Sequence, residues 1–184
     1  MKRPAWLLIG VVLAVVVVWF ALRPSGDGRV VADLIDEFPS AVDRRPSPET
    51  FEVIRATIAG DTREAILTRD SSRLVYRVEV PEDGELRVGL GLLEEAWTTP
   101  GDGVLFRILI GAGAPPEEVL NLVIDPYGNE GDRRWHDISI DLSEYSGETI
   151  DIFLNTNASP PSRPPVNDTA GDLAVWGAPA VYAR

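Results

Sequence analysis

His136-Asp137-Ile138-Ser139-Ile140-Asp141-Leu142 and, beyond the turn residues Tyr145-Ser146-Gly147, Ile150-Asp151-Ile152-Phe153-Leu154-Asn155 place an apolar residue at every second position. Successive side chains of an extended chain point to opposite faces, so each stretch has one face fit for a core and one fit for water. Leu74, Tyr76, Val78 and Val80 repeat the pattern upstream, as do Leu86, Val88, Leu90 and Leu92, then Val104, Phe106, Ile108 and Ile110. Between these runs stand Pro81-Glu82-Asp83-Gly84, Pro100-Gly101-Asp102-Gly103 and Asp125-Pro126-Tyr127-Gly128, all turn chemistry. Eight or nine strands without an intervening long helical pattern predict an all-β domain over residues 51–184, an antiparallel two-sheet β-sandwich of jelly-roll type.

Ahead of it, Val30, Val31, Leu34, Ile35 and Phe38 recur at helical spacing and predict a short amphipathic helix within a linker over residues 25–50. Earlier still, Ala5 to Leu22 is an uncharged run of 18 residues, preceded by Lys2 and Arg3, closed by Arg23 and flanked by Trp6 and Trp19. At about 1.5 Å per residue that run is close to the length that crosses a hydrocarbon core. With no small-residue cleavage site after it, residues 1–24 read as an uncleaved signal anchor, one transmembrane helix. The cations before it orient the N-terminus to the cytoplasm and the C-terminal domain to the periplasm or cell exterior.

Charge narrows the partners. Lys2, Arg3 and Arg23 belong to the anchor, which leaves 14 of the 17 cations against all 29 acids, a balance of −15. Such a surface repels phosphate backbones, so no nucleic-acid role is expected. The chain has no cysteine, which removes disulfides, zinc–thiolate sites and thiol nucleophiles together.

Catalytic material is sparse. His136 is the one histidine and falls on the apolar register of its strand. Glu94-Glu95 and Glu117-Glu118 are sequence neighbours read as loop residues, and no nucleophile-elbow pattern occurs. The chain is therefore expected to be non-enzymatic, with no cofactor other than a structural calcium. Calcium would be drawn to the loop oxygens of Asp125, Asn129, Glu130 and Asp132, or to those of Asn167, Asp168 and Asp172.

Carbohydrate binding uses aromatic rings outside the core together with Asp, Asn and Arg to hold hydroxyls. By register, Trp135 and Phe153 share polar faces with Asp137 and Asn155, and Arg107 points outward from another strand. These five residues are the candidate ligand site on one sheet. The competing reading places Trp135, Trp97 and Trp176 as closures of the sandwich ends.

Several strings carry a resemblance. Glu95-Ala96-Trp97 before Gly101-Asp102-Gly103-Val104-Leu105-Phe106, Asp132-Arg133-Arg134-Trp135 leading to Asp141-Leu142-Ser143, and Asp172-Leu173-Ala174-Val175-Trp176-Gly177-Ala178-Pro179 resemble a β-sandwich module of bacterial extracytoplasmic proteins. It is similar to galactose-binding-like and carbohydrate-binding-module jelly rolls, the kind found beside sulfatases and membrane glycosyltransferase-like proteins, over roughly Val31 to Arg184. The resemblance implies the fold more than the function; together with the anchor and the aromatic, polar face it gives the leading expectation, a membrane-anchored, non-catalytic, carbohydrate-binding-like module. The alternative is a structural or protein-interaction subunit of a cell-envelope complex, which would present a broad apolar face.

Overall fold

The alternation carries through to the backbone. The computed structural model describes residues 28–113, 115–158 and 173–184, and these form eleven strands: β1 Arg29–Asp33, β2 Asp43–Arg45, β3 Phe51–Ile58, β4 Asp61–Thr68, β5 Ser72–Glu79, β6 Gly84–Leu92, β7 Val104–Gly111, β8 Glu117–Ile124, β9 His136–Asp141, β10 Thr149–Asn157 and β11 Ala174–Ala183. They build two antiparallel sheets. The back sheet has the order β3-β4-β11-β6-β9, with β1 on β11, and the front sheet β2-β5-β10-β7-β8. From β4 to β7, and again from β8 to β11, each strand crosses to the opposite sheet, the interleaving expected of a jelly roll.

One apolar core fills the space between the sheets. Leu74, Tyr76 and Val78 of β5, Ile150, Ile152 and Leu154 of β10, and Phe106, Ile108 and Ile110 of β7 face Leu86, Val88 and Leu90 of β6 and Ile66 of β4. At its centre Trp176 is fully buried and meets Phe106 edge to face, with ring centroids 5.1 Å apart at 76°. Trp176 is thus a core residue between the sheets and not an end closure. Burial pushes the Tyr76 phenol well above its ordinary pKa.

Two expectations are corrected. Val30 to Phe38 is not a helix: β1 pairs with the second half of β11, Arg29 opposite Ala183, before a turn at Leu34–Glu37 and a single 3-10 turn, Phe38–Ser40. The Asp33 carboxylate accepts from the Ile35 amide at 2.9 Å, a side-chain turn that stops the strand. A nine-residue helix is marginal alone, whereas the strand gains ladder bonds at once. Glu117 and Glu118 likewise lie in no loop. They open β8, an edge strand of the front sheet whose acidic side chains face water.

The N-terminal run expected to span a membrane lies outside the described residues, as do Asn167, Asp168 and Asp172. Among the described residues no helix is long and apolar enough to cross a membrane.

Candidate functional site

The five residues expected to share one sheet are divided between two. Trp135 and Asp137 sit at the entry of β9 on the outer face of the back sheet, while Phe153, Asn155 and Arg107 lie on the outer face of the front sheet. The register was read correctly in each strand. What alternation could not supply is that the connection after β9, through the short 3-10 turn Ser143–Tyr145, carries the chain across to the other sheet.

On the back face Trp135 is 6% exposed and leaves no ring surface for a sugar. It packs with Ala56, Ile58, Ala65, Leu67 and Val175 in a small second core. Its floor is backbone: a Cβ added at Gly177 would sit 2.6 Å from the indole Cζ3, and one at Gly89 3.1 Å from Cε3. Arg63 covers the ring from above, its guanidinium 4.9 Å from the centroid, and the indole Nε1 donates to the Asp61 carbonyl at 3.1 Å. Arg63 is itself held by Asp61 at 2.7 Å and by Asp137. That hydrogen bond from Arg63 keeps the Asp137 carboxyl below its ordinary pKa. Nearby, Arg87 pairs with Glu85 at 2.7 Å and lies 4.4 Å from the Tyr182 ring centroid. Charges on this face are matched within the protein.

The front face is different. Cross-strand pairing sets Arg45 of β2 opposite Arg73 of β5, Arg73 opposite Asn155 of β10, Asn155 opposite Arg107 of β7, and Arg107 opposite Asn121 of β8. One polar row therefore runs across all five strands, and residues directly opposite share a face. Arg45, Arg73, Arg107, Asn155 and Asn157 line a depression of about 550 Å³. Asn155 is 5% exposed, and its Oδ1 accepts no hydrogen bond. Phe153 lies one step along the same face, with the Arg73 guanidinium 5.8 Å from its ring centroid. Within the row Arg45 is paired with Asp43 at 2.8 Å, and Arg107 with Glu118. Glu118 also accepts from Asn121 at 2.8 Å, and these hydrogen bonds, that of Asn121 first, hold its carboxyl below the ordinary range. Arg73 has the ring contact but no carboxylate partner among the described residues.

Sequence reading missed Arg45 and Arg73. Arg73 could have been found, because it occupies the outward register beside Leu74, Tyr76 and Val78. Arg45 could not, since a three-residue strand shows no period.

Three of the expected calcium ligands each make a hydrogen bond within their own turn. Asp125 Oδ1 accepts from the Gly128 amide at 2.9 Å, Asn129 Oδ1 from Gly131 at 3.0 Å, and Asp132 Oδ2 from Asp125 at 2.9 Å. Among the described residues no group of three acidic or histidine side chains is placed to hold an ion. Asp102 is a separate buried acid whose carboxylate oxygens take no hydrogen bond. His136 is largely covered, with Nε2 3.6 Å from Asp132; burial lowers its pKa, with Arg134 adding to the shift and Asp132 opposing it.

No family model matches the chain. A protein of Archaeoglobus fulgidus is 30% identical over 132 residues, which are 71% of this chain and 30% of that protein. The chain thus spans less than a third of that relative's length. Among solved structures, that of the M60 catalytic domain with the CBM51-1 and CBM51-2 domains from Clostridium perfringens ZmpB matches 77% of this chain and 14% of its own, at 16% identity and a TM-score of 0.56. A carbohydrate-binding module solved with β-1,4-galactotriose, TmCBM61, matches 77% of this chain and 88% of its own, at 14% identity and a TM-score of 0.46. The chain shares its β-sandwich fold with part of the first of these structures. That statement concerns the fold; function has to be argued from the face.

Proposed function

We propose that this chain is a non-catalytic carbohydrate-binding module, tethered to a membrane by its apolar N-terminal run, with its sandwich displayed outside the cytoplasm. The observation that carries the glycan reading is Asn155, a nearly buried side chain in the wall of an open depression, whose covered amide oxygen accepts no hydrogen bond. Buried polar atoms are ordinarily satisfied, so one without a partner needs an explanation, and beside a depression that explanation is a donor on a ligand, reached by a small turn of the amide. A sugar hydroxyl is such a donor. Arg73 and Arg107 on the neighbouring strands offer donors to ring and hydroxyl oxygens, and Phe153 supplies apolar area for the sugar's C–H face.

Three of the groups that could do acid–base chemistry are set against other side chains. Asp137 holds Arg63, Glu118 holds Arg107 and Asn121, and His136 sits against Asp132. Among the described residues the exposed large apolar side chains are Val30 and Val31 of β1, Val42, Val53 of β3 and Tyr127, which lends no support to a broad protein-docking face.

The test is a glycan array probed with the full chain in detergent, beside Asn155→Ala and Asp137→Ala variants of matched circular dichroism. Binding that is lost in Asn155→Ala and kept in Asp137→Ala is the expected result. Binding to no saccharide, or loss through Asp137→Ala alone, would overturn the proposal or its placement on the front face.

A further inference from the structure

We infer that the saccharide taken by the front face is anionic, and that its carboxylate or sulfate ester is gripped by Arg73 beside Asn155. This rests on the glycan reading and specifies its ligand class. The chain carries 29 acids against 17 cations, so an arginine has carboxylates available at most places on its surface. Arg63, Arg69, Arg77, Arg87, Arg133 and Arg184 each have one, whereas Arg29, Arg44, Arg55 and Arg134 have none among the described residues, and none of these four lines the depression. In the front row Arg45 and Arg107 are matched by Asp43 and Glu118, yet Arg73, between them, has no ion pair among the described residues. The row's described side chains therefore leave one positive charge at the depression, on a chain whose formal net charge is −12.

The ring contact bears on geometry. With Phe153 to one side of it, the planar guanidinium keeps its N–H edge for a ligand, and that fork matches the two oxygens of a carboxylate or sulfate. Asn155 is directly opposite on the adjacent strand, a backbone separation of about 4.8 Å. A ligand that fills both must present an oxyanion and a hydroxyl donor within one sugar ring's reach of each other. A neutral sugar satisfies the amide oxygen but leaves the cation with hydroxyls alone. The acidity of the remaining surface does not forbid this, because exposed charges farther than about 8 Å are largely screened at physiological salt.

The experiment prints uronate-, sialate- and sulfate-bearing glycans beside their neutral, carboxyl-reduced and desulfated counterparts, and probes them with the full chain and with Arg73→Gln. The expected result is binding to acidic members at least tenfold above their neutralised partners, with Arg73→Gln erasing that ratio. Carboxyl reduction and desulfation tell which oxyanion is read. Equal binding to acidic and neutralised members overturns the anionic assignment and leaves the glycan reading standing. Binding to neither overturns both. If Arg73→Gln loses all binding, Arg73→Lys separates causes: partial recovery of the acidic preference supports a charge contact, and none overturns it.

Discussion

The indole of Trp135 rests on Gly177 so closely that the ring occupies the place of a side chain there, 2.6 Å from where a Cβ would begin. Gly177→Ala must push the indole off the sheet or bend β11 away from β6. Overpacking of this kind costs about 1–3 kcal/mol, which for a domain of this size lowers Tm by roughly 2–4 °C per kcal/mol. Thermal melts check this, and the same substitution in a Trp135→Ala background is expected to cost little, because the ring it collides with is gone. Equal costs in both backgrounds would refute the contact.

Asn155 supports the opposite expectation. An unpartnered buried polar atom costs about 1–3 kcal/mol, so Asn155→Leu is expected to hold or raise Tm while abolishing saccharide binding. The pair of measurements is what discriminates. A drop in Tm of several degrees would mean that the amide supports the sheet.

His136 sets a pH window. Burial holds its folded-state pKa below the ordinary 6.5, with Arg134 acting in the same direction and Asp132 and Asp137 opposing. Between the folded value and 6.5 the unfolded chain binds more protons, so stability is present in full above 6.5 and is lost as pH falls through that window. His136→Gln should flatten the pH dependence of Tm there. A second decline belongs to Asp137, whose pKa is lowered chiefly by its hydrogen bond from Arg63. Its contribution is present above about 3.8 and lost as pH falls further, and Arg63→Gln should remove that part of the curve.

Calcium is expected to leave the melting temperature where it is. A cation held only by the native state raises stability in proportion to its binding, but one side-chain oxygen each of Asp125, Asn129 and Asp132 is bonded to an amide of their own turn. Melts in millimolar calcium and in chelator should coincide. A gain of several degrees would show that this loop, or the buried carboxylate of Asp102, takes an ion.

Alternation made the strands and their faces legible: His136, Ile138 and Ile140 turn toward the core, while Asp137, Ser139 and Asp141 turn out. Partner choice was not legible. β9 and β10 are consecutive and patterned alike, yet they join opposite sheets, because pairing is decided by contacts distant in sequence. Hence Trp135 and Phe153, equivalent by register, have unrelated surroundings, one beneath Arg63 and the other beside Arg73. The misread helix has a similar cause. Val30, Val31, Leu34 and Ile35 fit either period, and it is β11, some 150 residues away, that turns the first pair into a strand.

The pairing of β1 with β11 sets Arg29 opposite Ala183, so the sandwich is entered and left at nearly one spot. A domain wired in that way is indifferent to where its covalent chain is cut. Joining 184 to 28 through a few glycines and opening the chain in an exposed turn such as Ala59-Gly60 would reorder the strands along the sequence without displacing any ladder or any residue of the arginine row. The same geometry suits the domain to insertion into a surface loop of an unrelated scaffold, carrying the arginine row along as a portable part.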